Sequence, residues 1–190
     1  MNDKHRLFIA VNFPSEIKER LVDVSRKWCD LPVRWAKKDN IHLTLAFLGY
    51  VSNEGIIELS KGLKKISFEH SSFLTGLKKI SLGSIKNGVP KLIWAEVERS
   101  KELISLKENL DDILSRSIGY IPDKREFFPH ITLGRVRKWD WQKMDPEEVP
   151  DIEKDISWDF EVYSIEMMES YLKRSGAEYI ILESFPFKKL

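Results

Sequence analysis

The chain has 190 residues, 42% of them hydrophobic, and its 31 basic and 30 acidic side chains leave a formal net charge of +1. This length and apolar content fit a folded core, so residues 1–190 are expected to form one domain, or two closely packed lobes, while the near-neutral charge excludes a global basic field for nucleic acid. One cysteine, Cys29, excludes an internal disulfide, no apolar run approaches the roughly 20 residues of a membrane span, and the charged start shows no signal peptide, so a reducing, cytoplasmic setting is expected.

In chain order, Leu7 to Val11 reads as a buried strand. Pro14 opens a helix, where its missing N–H costs nothing, and Ile17, Leu21, Val24 and Trp28 give it one apolar face. A short segment at Val33 to Trp35 and a turn at Asp39-Asn40 lead into a strand from Ile41 to Phe47, which Gly49 is expected to end. Ser52 caps a second helix carrying Ile56, Leu59, Leu63 and Ile66. Phe73 to Leu82 and Leu92 to Val97 read as two strands, with Asn87-Gly88 as the hairpin turn between them. Ser100 caps a third helix with Leu103, Leu106, Leu110 and Ile113 inside. A loop from Ile121 to Pro129 precedes a strand from His130 to Val136. Residues 137–155 read as a polar surface loop, Ile156 to Val162 as a strand with one wet face, and Met167 to Phe185 as a long hairpin turned at Arg174-Ser175-Gly176.

Two of these strands carry the same four-residue pattern, His42-Leu43-Thr44-Leu45 and His130-Ile131-Thr132-Leu133. They use two of the four histidines and two of the three threonines. Residues two apart on a strand share a face. One face should therefore carry His42, Thr44 and Ala46, with Leu43, Leu45 and Phe47 behind. The second strand should present His130, Thr132 and Gly134, with Ile131 and Leu133 behind. Each motif strand ends a strand–helix–strand unit, which suggests a duplicated unit with the motif strands facing one cleft.

Histidine titrates near neutrality, so such a pair supplies one base and one acid for phosphodiester cleavage. The threonine hydroxyls can donate to phosphate oxygens as charge develops there. A catalytic zinc usually takes three protein ligands, and neither motif strand holds Asp, Glu or Cys, so metal-free chemistry is expected, with no cofactor. His5, at the N-terminus, and His70, in a turn, are read as bystanders. Trp35 is expected under the first motif. Arg125, Phe127 and Phe128 offer a basic–aromatic rim for a base, although Phe128 also suits plain packing. Arg135, Arg137, Lys138 and Trp139 suit a solvated loop.

The contexts Arg34-Trp35…Asn40-Ile41-His42-Leu43-Thr44-Leu45-Ala46-Phe47-Leu48-Gly49 and Phe128-Pro129-His130-Ile131-Thr132-Leu133-Gly134-Arg135 resemble the two-histidine phosphoesterase superfamily. Arg6 to Val11, Ser170-Tyr171-Leu172 and Gly176 to Tyr179 extend the likeness to its LigT-like RNA 2′,3′-cyclic phosphodiesterases. The resemblance implies an α+β, bilobal fold of two antiparallel sheets with flanking helices, in a pseudo-twofold repeat around a central cleft. It implies metal-independent opening of RNA 2′,3′-cyclic phosphate ends to 2′-phosphates, with His42 as proton donor and His130 as proton acceptor. Thr44, Thr132 and Arg135 would contact phosphate or substrate. Arg135 sits at an odd offset from His130, and so on the wrong face of a straight strand unless Gly134 allows a bulge. The implied substrate is a cyclic-phosphate RNA end, such as a tRNA fragment, or a nucleotide, met by a monomer without a membrane. Some relatives also join RNA ends in reverse through a 2′-5′ linkage. The alternatives are another small cyclic phosphate, a 2′-5′ oligonucleotide, or RNA-end binding without catalysis.

Overall fold

The computed structural model of the chain describes residues 4–174 and 176–189. Strand β1 (Lys4–Asn12) leads through Pro14 into helix α1 (Ser15–Ser25), then β2 (Val33–Trp35) and the first motif strand β3 (His42–Ser52). Helix α2 (Asn53–Glu69) starts where the Ser52 hydroxyl accepts from the Gly55 N–H at 3.3 Å. Strands β4 (Phe73–Gly83) and β5 (Leu92–Val97) form a hairpin whose tip, Asn87-Gly88, has positive φ at both residues, as that turn requires. Helix α3 (Lys101–Ile118) starts on a second serine cap, with the Ser100 hydroxyl accepting from the Leu103 N–H at 3.2 Å, and leads to the second motif strand β6 (His130–Val136). Each cap stabilises its helix by about 1 kcal/mol.

A four-residue helix α4 (Lys138–Trp141) and strands β7 (Lys154–Val162), β8 (Ser164–Lys173) and β9 (Gly176–Pro186) complete the chain. The strands pair antiparallel in the order β7-β4-β5-β6-β3-β1-β8-β9, and β2 pairs with β6. That order is two four-stranded halves, β7-β4-β5-β6 and β3-β1-β8-β9, which meet at one residue pair, Leu43 with Ile131. The two expected sheets therefore touch edge to edge and count as one connected sheet. Each half holds a strand–helix–strand unit, β1-α1-β3 and β5-α3-β6, which brings the two motif strands together at the centre.

One face of the sheet is the main core. Leu43 and Ile131 are fully buried there, as are Leu59, Leu63 and Ile66 of α2 and Leu103, Leu106, Leu110 and Leu114 of α3. Each such side chain contributes roughly 1.5–3 kcal/mol. Leu114, rather than Ile113, completes the inner row of α3, and Ile113 packs at the rim against Gly62.

Other departures have local causes. Gly49 does not end its strand: at φ +71° it lies within a bulge against β1, and pairing continues to Ser52. The 137–155 segment is not only surface loop, since Trp141 and Ile152 are buried in the core. Trp35 packs on Gly134 of the second motif strand, not under the first. The turn expected at Arg174-Ser175-Gly176 includes Ser175, which lies outside the described residues. Among the described residues, no helix is long and apolar enough to cross a membrane.

Candidate active site

Each motif strand is bulged at the same place. Between β1 and β3 the pairing steps from Ile9 with Ala46 to Ala10 with Thr44, leaving Leu45 as an extra residue. Between β5 and β6 it steps from Ile93 with Gly134 to Trp94 with Thr132, leaving Leu133 as the extra residue. Both are the fourth residue of the motif. An extra residue reverses the alternation beyond it.

The straight-strand expectation therefore fails past each bulge. Ala46 is buried in the main core instead of sharing the His42 face. Phe47 turns out to the His42 face, 68% exposed, with its ring 6.1 Å from Phe8. Gly134 lies on the core side, where a Cβ would come within 2.4 Å of Val33. Arg135, opposite Leu92, joins the face of Trp94 and Glu96 and hence of Thr132 and His130. The bulge removes the odd-offset difficulty, although the extra residue is Leu133 and not Gly134.

Before the bulges the motifs behave as expected. Extending the Leu43–Ile131 register by one residue sets His42 opposite Thr132, and Thr44 opposite His130, on the face away from the core. The four motif side chains are half-buried, while Leu43 and Ile131 behind them are fully buried. Both imidazoles are anchored alike. His42 Nδ1 lies 2.8 Å from the Asn40 carbonyl oxygen, and His130 Nδ1 lies 2.9 Å from that of Phe128. A carbonyl only accepts, so Nδ1 carries the proton in each ring and Nε2 is left to accept or release one. His42 Nε2 sits 3.0 Å from the Thr44 hydroxyl.

The surroundings of the two rings differ. His42 is wedged between Phe8, 4.9 Å away, and the edge of Tyr179, 5.1 Å away. Burial pushes its pKa down to about 4; the Asn40 carbonyl opposes this, and the charges of Lys18 and Arg135 reinforce it. The His130 ring lies tilted against Trp94, at 4.7 Å, with Phe128 stacked at 6.2 Å. Trp94 is itself held, its Nε1 donating to the Ser81 hydroxyl, which donates to Glu96.

Of the proposed rim, only Phe128 reaches the site. Phe127 packs against the core and beneath Lys107, and Arg125 is bound to Asp123. His5 and His70 lie elsewhere: His5 is bonded to Glu169 and Asn53, and His70 lies beside Asn109. Among the described residues, no three His, Cys, Asp or Glu side chains converge as a metal site would require.

No local sequence signal points to Phe8, Tyr179 or Trp94, which come from strands distant in sequence. A sign of Lys18 was present. That residue falls three before Leu21 on the inner face of α1, is 8% exposed, and burial keeps its ammonium below the usual lysine range.

A model of the LigT-like phosphoesterase family matches residues 11–94. The chain is 30% identical over 195 residues to the RNA 2′,3′-cyclic phosphodiesterase of Thermotoga maritima, covering 96% of each protein. It is 26% identical to the enzyme of that name from Methanocaldococcus jannaschii, covering 95% of this chain and 99% of the relative. Its fold superposes on the Thermus thermophilus protein TT0787 with a TM-score of 0.83 at 26% identity, covering 97% of this chain and 98% of that one. E. coli LigT, solved in complex with 3′-AMP, gives a TM-score of 0.77 at 28% identity, with 97% and 99% covered.

Proposed function

The chain belongs to the LigT-like phosphoesterase family, and on that premise we propose that it hydrolyses 2′,3′-cyclic phosphate ends of RNA to 2′-phosphates, without a metal. The observation that carries this reading is the pairing of the two motifs: on adjacent strands, each histidine lies opposite the other's threonine and each Nε2 is left unanchored by the backbone. The active unit is the whole chain, one bilobal domain. A monomer suffices because both histidines come from one chain, and the lone cysteine suits the cytoplasm.

A water attacks phosphorus and gives its proton to His130 Nε2. The bond from phosphorus to the 3′ oxygen breaks, and His42 Nε2 gives its proton to that oxygen. The product carries a 2′-phosphate and a 3′-hydroxyl, and exchange with solvent restores both rings. Thr44 and Thr132 donate to the non-bridging oxygens, whose charge grows in the transition state, and Arg135 contributes positive charge on the same face. With a 5′-hydroxyl in place of water as the nucleophile, the same acid–base pair would open the cyclic phosphate into a 2′-5′ phosphodiester, the 3′ oxygen leaving as a hydroxyl.

His42 is neutral at pH 7 in the free protein, since burial pushes its pKa down to about 4. The donor role therefore depends on the substrate. A phosphate anion beside Nε2 favours the charged ring and raises its pKa, so protonation of His42 is coupled to substrate binding.

Thr44→Val and Thr132→Val each remove one hydroxyl donor while keeping the side-chain shape. A hydrogen bond to a charged group contributes about 1.5–3 kcal/mol, so each variant should lose about 10- to 150-fold in kcat/KM on a cyclic-phosphate oligonucleotide. Unchanged turnover in both variants would remove the threonines from the phosphate site. Wild-type protein that fails to open the cyclic phosphate would remove the function.

A further inference from the structure

Strand pairing sets two arginines side by side, and among the described residues no carboxylate pairs with either. Arg34 of β2 is the direct antiparallel partner of Arg135 of β6, and both side chains are exposed. Their neighbours fix the face. Val33 and Trp35 close over Gly134 on the core side, so Arg34 and Arg135 project from the other side. That side is the one bearing Thr132 and His130, because of the bulge at Leu133.

Like charges directly opposite on a sheet are destabilising. Elsewhere the chain answers such charge with carboxylates: Arg26, Arg99, Arg116, Arg125 and Arg137 each pair with an Asp or Glu. Arg34 and Arg135 have no ion pair or hydrogen bond among the described residues. Two guanidinium forks carried on one face by directly paired residues of neighbouring strands suit the several acceptor oxygens of one phosphate. Along the partner strand, Leu92 opposite Arg135 lies two residues from Trp94 opposite Thr132, or about 7 Å. One nucleotide of sugar–phosphate backbone bridges such a step.

We propose that Arg34 and Arg135 form a second phosphate subsite for the internal phosphodiester next to the cyclic-phosphate nucleotide, which makes the preferred substrate an oligonucleotide end rather than a lone nucleoside cyclic phosphate. The inference rests on the hydrolase reading above, and its test separates the two.

The test compares two dinucleotides ending in a 2′,3′-cyclic phosphate, one with an internal phosphodiester and one with an uncharged methylphosphonate there. The kcat/KM of each and the Kd of each 2′-phosphate product are measured for wild type and for Arg34→Gln/Arg135→Gln. The wild type should favour the charged linkage by at least about fivefold in both measures, as expected for charge-assisted hydrogen bonds. The double variant should lose more than about twofold of that preference. A wild-type preference under about fivefold overturns the proposal, as does a double-variant preference within about twofold of wild type. The second result would arise if both arginines served the reacting phosphate, because both dinucleotides would then weaken equally. Should wild type open neither dinucleotide, the hydrolase reading fails while the ratio of product Kd values still decides the subsite. Both arginines are exposed and removing them relieves repulsion, so thermal melting should show no loss of stability.

Discussion

Replacing His42 or His130 with alanine is expected to lower kcat on a cyclic-phosphate RNA by about 10²–10⁴-fold in each case. Neither residue is in the main core, and Leu43 and Ile131 behind them stay in place, so the variants should keep their fold by circular dichroism. The double variant should lose less than the product of the two single losses, because a base without its acid, or an acid without its base, already stalls the reaction. Near-normal turnover by either single variant would break the catalytic pair.

The second large effect separates the two roles. Bis(4-nitrophenyl) phosphate releases a phenolate, a far weaker base than a ribose alkoxide, and so needs no proton donor. If His42 is the donor, the defect of His42→Ala should shrink by at least about tenfold on this substrate relative to the cyclic phosphate, while His130→Ala keeps its full defect. The opposite pattern would exchange the roles. The pH dependence of kcat/KM cannot separate them, since opposite protonation of the same two rings gives the same curve. The charge state can be followed directly by proton NMR. His42 should titrate at about pH 4 in the free protein, and at least about one unit higher with adenosine 2′-phosphate bound.

Much of this site was legible in the sequence because its signals are local. Serine caps, helical spacing and the Asn87-Gly88 turn marked the elements, and the two His-x-Thr units stood on strands whose alternation holds through Thr44 and Thr132. The faces beyond those residues depart from the expectation because alternation assumes a straight strand. One extra residue at Leu45 and another at Leu133 reversed them, burying Ala46 and Gly134 and turning out Phe47 and Arg135. The pseudo-twofold arrangement is clearest here, since Phe47 and Arg135 each follow their histidine by five positions and both reach the motif face. The aromatic surroundings were out of reach for another reason. Phe8 flanks His42 because β1 pairs with β3, and Tyr179 because β8 pairs with β1 and β9 folds back on β8, and pairing partners of this kind leave no mark on either segment. The same holds for Arg34, whose importance comes from the residue across from it.

The two lobes also treat their histidines unequally. His42 is enclosed by Phe8 and Tyr179, and burial, reinforced by the positive charges of Lys18 and Arg135, pushes its pKa down to about 4. His130 stands in the more open setting of Trp94 and Phe128. On the proposed mechanism, matched histidines in unmatched surroundings would give the substrate a direction, with the leaving oxygen toward one ring and water toward the other.

The most direct measurement is the identity of the product end from a defined RNA with a 2′,3′-cyclic phosphate, incubated with wild-type protein in excess EDTA and read by phosphorus NMR. Metal-free catalysis by the histidine pair predicts conversion to a 2′-phosphate at the rate seen without chelator. A 3′-phosphate product, or loss of activity on chelation, would contradict it.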